Sequence, residues 1–357
     1  MRHYGVGPVK GVLTEQRREP GEDIFLILPI LFGEKICYNN SVHDFILRMP
    51  GGNMDRLEQL LRNLRDRCPE LELRTEEPMS RHTTFRIGGP AALMALPRTV
   101  GEAKAAVRAA GELEIRPFFL GNGSNLLVPD EGYRGFVVKL CGLDQTQEVN
   151  RRLWAESGIS LARLAWAALG RGLAGLEFAH GIPGSLGGGV MMNAGAYGSE
   201  IKDVLEYARV MTPEGEILTL GPKELKMDYR TSCIPAMGYT VLDACFRLKK
   251  RNRDEIEAYM NELSLKRREK QPLQYPSAGS TFKRPKGHFA ARLIEDAGLK
   301  GFTVGGAQVS QKHSGFVINR GDATAADVME LCRQIRERVK TQFDVELEME
   351  VKTLGKF

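Results

Sequence analysis

Nowhere in this chain do two cysteines form a C-x-x-C pair, and no histidine lies at zinc-finger spacing from a cysteine. The six thiols, Cys37, Cys68, Cys141, Cys233, Cys245 and Cys332, are scattered instead. Over 357 residues that pattern argues against a zinc site and a disulfide framework, and it suits a reducing cytosol. Long apolar runs are equally scarce. The one marked stretch, residues 24–32, is too short to span a bilayer and contains Pro29. Glu19, Glu22 and Asp23 precede it and no small-residue cleavage site follows, so we expect neither export nor a membrane anchor. Charge of one sign is also not pooled. Fifty basic residues are interleaved with 45 acidic ones, leaving a net charge of +5. A nucleic-acid footprint would need a clustered basic face, so none is expected. What remains is an ordinary globular composition, 42% hydrophobic and 27% charged, long enough for two or three domains.

The chain changes character at about residue 54. Residues 1–53 mix basic stretches, the short apolar run and a Pro50-Gly51-Gly52 break without sustained periodicity. From Met54 onward, Leu57, Leu60, Leu61 and Leu64 share one helical face. Gly-Gly-Asn before Met54 is also what a purine-rich ribosome-binding site gives when translated, so natural translation is expected to begin at Met54, the alternative being that residues 1–53 are a genuine N-terminal extension. Beyond it, strands are predicted at 91–96, 117–120, 136–140 and 240–248, and helices at 100–110, 159–170 and 254–270. A hairpin is predicted over 207–220, turning at Pro213-Glu214-Gly215. A last helix carries Val328, Leu331, Ile335 and Val339, and a terminal strand is predicted over 345–351. This is an α+β chain without internal repeats. The charged stretch 249–253 marks the expected boundary between a domain at 54–249 and one at 250–357.

Two glycine loops carry the chemistry. Gly121-Asn122-Gly123-Ser124-Asn125 follows a predicted strand. Its glycines let backbone N–H groups approach a phosphate, and Ser124 and the asparagines add donors. It lacks the third glycine of a Rossmann loop and the lysine of a Walker loop, and alone it would read as a turn. The second loop, residues 181–198, has seven glycines in eighteen positions. Each costs about 0.5–1 kcal/mol relative to alanine in regular structure, a penalty usually tolerated where backbone presses on a ligand. Two such loops favour a dinucleotide held at its pyrophosphate by main-chain amides.

Thr84-Phe85-Arg86-Ile87-Gly88-Gly89-Pro90 and the two loops, in this order, resemble the UDP-N-acetylenolpyruvoylglucosamine reductases (MurB). The resemblance runs from about Met54 to Phe357. It implies a vanillyl-alcohol-oxidase-type FAD-binding fold of two α+β subdomains, with a C-terminal α+β substrate domain closing over the flavin. It also implies the cofactor-binding positions Arg86, Gly121, Asn122, Gly123, Ser124, Asn125, Gly181, Ile182, Pro183, Gly184, Ser185, Gly188, Asn193 and Gly195. Some relatives in this fold tether the flavin through a first-loop histidine. None lies between Gly121 and Asn125, so FAD is expected to be non-covalent. His180, just before the second loop, is read as a packing or capping residue.

Reducing an enol ether leaves carbanion or enolate character beside a carboxylate. That chemistry needs cations or donors where charge develops, and an acid. The resemblance supplies them: Arg230 in Tyr229-Arg230-Thr231-Ser232, with Tyr229 on the substrate, Ser280 in Ala278-Gly279-Ser280 as proton donor, and a C-terminal glutamate. Strand periodicity leaves Glu348 and Glu350 on one face; alignment with the family selects Glu350. Lys270, Arg284 and His313 are expected on the diphosphate. The short interval between Arg230 and Ser280 resembles the family's second type, without a long capping loop. The implied activity is FAD-dependent reduction of UDP-N-acetylglucosamine enolpyruvate with NADPH in the cytoplasm, with no protein partner or metal. Alternatives are another flavoprotein oxidase or dehydrogenase of this fold, or a non-catalytic nucleotide-binding regulator. Arg230, Ser280 and Glu350 arriving together weigh against both.

Overall fold

The computed structural model describes residues 52–357, with side chains from Asp55 onward. The apolar run 24–32, Cys37 and the expected change of origin before Met54 lie outside the described residues.

In the first body, helix α1 (Gly52–Arg67) is followed by β1 (Glu72–Pro78), β2 (Pro90–Leu96) and α2 (Val100–Glu112). Then come β3 (Phe118–Leu120), β4 (Leu126–Leu127) and β5 (Tyr133–Lys139). The sheet order is β1-β2-β5-β3, antiparallel at β1/β2 and parallel elsewhere. Leu57, Leu60 and Leu64 of α1 are buried with Ala103, Ala106 and Ala110 of α2 against Leu93, Phe136 and Val138. The expected leucine face is therefore the one that packs. Thr99 caps α2, accepting a hydrogen bond from the Glu102 N–H at 3.1 Å.

The second body is built on an antiparallel sheet. Its strands are β6 (Thr146–Val149), β7 (Arg152–Glu156), β8 (Leu205–Met211), β9 (Ile217–Leu220) and β10 (Thr240–Arg247), in the order β9-β8-β10-β7-β6. The predicted hairpin is β8/β9, with Met211 opposite Ile217. Helices α3 (Leu161–Gly170) and α4 (Leu186–Met191) share this core with Ile256, Met260 and Leu263 of α5 (Arg253–Lys270). Placed by its core, α5 belongs with the second body, and the cores divide after Lys270 rather than at 249–253. The apolar stripe on α5 is too narrow amid its charges to reveal which body it joins.

The C-terminal body contains α6 (Ala290–Asp296), the strands β11 (Thr303–Val304), β12 (Ala307–Val309) and β13 (Val317–Asn319), and α7 (Ala325–Phe343). Val328, Leu331, Ile335 and Val339 of α7 are all buried, as their spacing predicts. Phe85 and Ile87, from the Thr84–Pro90 motif, belong to this same core and fasten it to the first body. Asp130 does so too: its carboxylate accepts from the Ala325 N–H at 3.0 Å, at the α7 N-terminus.

The predicted terminal strand over 345–351 does not form. Residues 344–351 make only an isolated bridge, Met349 opposite Phe282, and the ladder is confined to β14 (Lys352–Thr353), parallel to β4. Alternating residues suit a strand, but without a continuous neighbour nothing holds the pleat. Among the described residues, all five cysteines are free. Burial pushes the Cys332 thiol up to about 12, which makes it inert. No helix among them is long and apolar enough to cross a membrane.

Candidate active site

The two glycine loops face one another. A Cβ on Gly121 would lie 2.0 Å from Ser185 Oγ, and one on Gly184 would lie 3.2 Å from Ser124 Oγ. Asn125 Nδ2 reaches Met192 Sδ in the second loop at 3.3 Å. Gly123 has φ +60°, and a Cβ there would stand 2.1 Å from the His82 carbonyl oxygen. Only glycine fits that position without strain. Under this first loop lies a polar line, buried at His82 and Glu77. Lys139, opposite Leu120 in the β3/β5 pair, has Nζ 2.8 Å from His82 Nδ1, and His82 Nε2 lies 2.9 Å from Glu77. Burial lowers the proton affinity of His82, so a neutral ring can accept from Lys139 and donate to Glu77.

Two observations fit a dinucleotide cofactor in this cradle. The loops approach so closely that side chains at their glycines would fill it. The buried Ser157 hydroxyl, 2% exposed and beside Gly187, has no hydrogen-bond partner among the described residues. Asn122 Oδ1 accepts from the Cys141 thiol at 3.3 Å. Arg86 is exposed in a left-handed conformation, φ +56°, and its guanidinium makes no hydrogen bond among the described residues. Ile182, Pro183 and Gly188 line the second loop and the start of α4. His180, just before it, packs edge-on against Trp166 with ring centroids 5.3 Å apart, as the packing reading expects.

Asn193 and Gly195 also make contacts inside the protein that the sequence did not reveal. The side chain of Asn193 is fully committed inside the protein. Its Nδ2 donates to Glu200 Oε2 at 2.8 Å and to the Asp228 carbonyl at 3.0 Å, and its Oδ1 accepts from the Lys202 N–H at 3.0 Å. No side-chain donor is left for a cofactor. The Gly195 carbonyl accepts from Arg230 Nη2 at 3.0 Å. Both residues therefore face the Arg230 turn.

Arg230 and Glu350 come together although 120 residues separate them in sequence, with Arg230 Nε 3.5 Å from Glu350 Oε1. That contact is too poorly aligned to be a hydrogen bond, and Arg230 Nε is a buried donor without an acceptor among the described residues. Glu350 is 15% exposed, whereas Glu348 is 71% exposed and ion-paired with Lys283. The two do not share a face, because no regular strand forms here. Burial raises the proton affinity of Glu350, and Arg230, Lys283 and Lys352 oppose that rise. Ser280 enters through the neighbouring segment: the Glu350 N–H donates to the Thr281 carbonyl at 2.9 Å, and the Lys283 N–H donates to that of Glu348. Ser280 is exposed and makes no hydrogen bond of its own among the described residues. Thr84 Oγ1 donates to the Ser277 carbonyl at 2.7 Å, tying this segment to the first body. Tyr229 stands beside Arg230, half exposed, with the guanidinium 5.7 Å from its ring.

The expected diphosphate cations lie on the C-terminal side. Arg284 stacks on Phe289 at 3.9 Å, and Phe289 lines a shallow recess with His313 and Lys312. Lys312 Nζ donates to the Arg268 carbonyl, two residues before exposed Lys270 at the end of α5. One functional candidate escaped the sequence reading. Arg267 is 7% exposed and forms no ion pair among the described residues. It lies 5.7 Å from the Tyr197 ring and presses on Gly181, where a Cβ would be 2.6 Å from Nη1. Its signal was present: Arg267 continues the Ile256, Met260, Leu263 stripe, an apolar face on which a cation is out of place.

Comparison with known proteins agrees with this geometry. Residues 91–221 match an FAD binding domain, and residues 271–354 match the C-terminal domain of UDP-N-acetylenolpyruvoylglucosamine reductase. The reductase of Clostridium kluyveri is 46% identical over 302 residues, 85% of this chain and 99% of its own. That of Agathobacter rectalis is 49% identical over 313 residues, 84% of this chain and 99% of its own. The chain belongs to the UDP-N-acetylenolpyruvoylglucosamine reductase family. A crystal structure of the family's member from Thermus caldophilus, MurB, superposes with a TM-score of 0.69 at 38% identity, covering 80% of this chain and 99% of that one. The two-subdomain FAD fold expected from the sequence is thus the fold of the reductase family, and the apposed glycine loops lie within it.

Proposed function

We infer that this chain is an FAD-dependent, NADPH-using oxidoreductase that converts UDP-N-acetylglucosamine enolpyruvate to UDP-N-acetylmuramate, a precursor of peptidoglycan. The observation that carries the assignment of roles is the meeting of Arg230 with Glu350 beside the two glycine loops. Gly121 to Asn125 and Gly181 to Ser185 would hold FAD, chiefly through main-chain amides. Bound there, FAD supplies the two-electron relay between NADPH and the substrate's double bond.

The reaction adds one hydride and one proton across that bond. Arg230, with a buried Nε lacking an acceptor among the described residues, is suited to the substrate carboxylate and to the enolate that develops beside it. Ser280 donates the proton to the enolate carbon. A serine hydroxyl is a weak acid, and Glu350, in the adjoining segment with raised proton affinity, is suited to restore its proton. Tyr229 lies at the edge of the same turn. Lys270, Arg284 and His313, joined by Arg267, would neutralise the diphosphate. A nucleotide-sugar substrate and a nicotinamide reductant both belong to the cytoplasm, which we assign as its location.

The test is optical. The purified protein should be yellow, bleach with NADPH and regain colour on adding enolpyruvyl-UDP-N-acetylglucosamine. Recovery with oxygen or a simple alcohol-derived carbonyl, but not with this substrate, would point to another flavoprotein of the same fold.

A further inference from the structure

The second glycine loop grips the Arg230 turn at three points. Before Arg230, Asn193 Nδ2 donates to the Asp228 carbonyl at 3.0 Å. At Arg230, Nη2 donates to the Gly195 carbonyl at 3.0 Å. After it, Ser232 Oγ donates to the Met191 carbonyl at 2.6 Å. Asn193 is 1% exposed, and its remaining polar capacity anchors it to Glu200 and to the Lys202 backbone. Glu200 is held in turn by Lys202 Nζ at 2.9 Å.

This grip has work to do. Arg230 adopts φ +52°, a left-handed conformation that is strained for a non-glycine residue and persists only where surroundings impose it. Among the described residues its guanidinium has one hydrogen bond and a loose ion pair, so its side chain alone does not fix its position. The turn closes on itself through reciprocal Asp228–Thr231 backbone bonds at 3.1 Å, but these set its shape and not its place. Place comes from the loop.

We propose that Asn193 is a positioning residue for Arg230, through which the cofactor-binding loop fixes where the substrate carboxylate and the developing enolate are met. This rests on the role assigned to Arg230 above. Asn125 does the corresponding work for Glu350 from the first loop: its Nδ2 donates to the Glu350 carbonyl and its own carbonyl accepts from the Lys352 N–H, each at 3.1 Å.

The test uses Asn193→Gly, which removes the amide while tolerating the observed φ of +44°. Ser232→Ala loosens the other side of the turn, and Arg230→Lys serves as reference. Three quantities are measured for each: the FAD dissociation constant of the apoprotein by flavin fluorescence, flavin bleaching by NADPH, and reoxidation by the enolpyruvyl substrate. For Asn193→Gly, FAD affinity and bleaching should stay within about threefold of native. Reoxidation should fall about 10–100-fold, as expected for a misplacement near 1 Å. Ser232→Ala should shift the same step in the same direction, and it decides the matter if Asn193→Gly does not fold. Slowing by Arg230→Lys but by neither Asn193→Gly nor Ser232→Ala would overturn the positioning role and leave the Arg230 assignment standing. No slowing by Arg230→Lys would remove the assignment and the proposal together. Loss of FAD affinity with equal slowing of both steps would make Asn193 a cofactor or folding residue, and the proposal would fail.

Discussion

At the scale of single residues, Ser280 and Glu350 make separable predictions. Bleaching by NADPH needs no proton at a substrate carbon, whereas reoxidation by the enolpyruvyl substrate does. Ser280→Ala should therefore retain FAD and bleach at nearly the native rate, while reoxidation falls by about 10²–10⁴-fold. Stopped-flow absorbance reads both steps on one sample, and equal slowing of both would remove Ser280 as donor. Glu350 adds a pH dependence. Its folded proton affinity is raised by burial above the ordinary value of 4.5, so folding costs less with the carboxyl neutral than with it charged. The stability this contributes is complete below 4.5 and is lost as pH climbs through the raised folded value. Glu350→Gln fixes the neutral form. Its melting temperature should match the native protein near pH 4 and exceed it near pH 8, while reoxidation drops at least about 10²-fold. A lower melting temperature than native at pH 8 would mean that the Arg230 ion pair outweighs burial.

At the scale of elements, the two glycine loops act as one device because each presses on something rigid. Gly123 illustrates this, since its left-handed φ and the His82 carbonyl leave a side chain nowhere to go. Backbone cannot rotate away as a serine hydroxyl can. Gly123→Ala should lower FAD affinity at least about tenfold and cost about 1–3 kcal/mol of stability, the usual strain of a non-glycine residue there. Flavin fluorescence titration and urea unfolding of the apoprotein measure the two effects. Native-like FAD affinity in a folded Gly123→Ala protein would show that the loop does not need this close approach.

For the whole molecule, attachment of the cofactor is the property to test. The first loop offers no histidine, and His180 beside the second packs on Trp166. Acid or heat precipitation should leave all the flavin in the supernatant and the polypeptide colourless. Flavin retained on the denatured chain would identify a covalent link, with His180 the first residue to examine by peptide mapping.

The sequence by itself determined what depends on near neighbours. Spacing predicted the packed faces of α1 and α7, the β8/β9 hairpin with its Pro-Glu-Gly turn, and the density of glycine in both loops. These follow from periodicity and backbone freedom, which are local properties. Tertiary structure decided everything that depends on which distant segments meet. Glu350 is separated from Glu348 because residues 344–351 lack a continuous partner strand, so alternation could not be converted into faces. α5 joined the second body because a narrow stripe of Ile256, Met260 and Leu263 found its core there. Asn193 and Gly195 lie in a loop that its composition marks for a ligand, yet they grip a turn some 35 residues away. A side-chain amide donates to whichever carbonyl the fold brings within 3 Å, and that choice is written only in three dimensions.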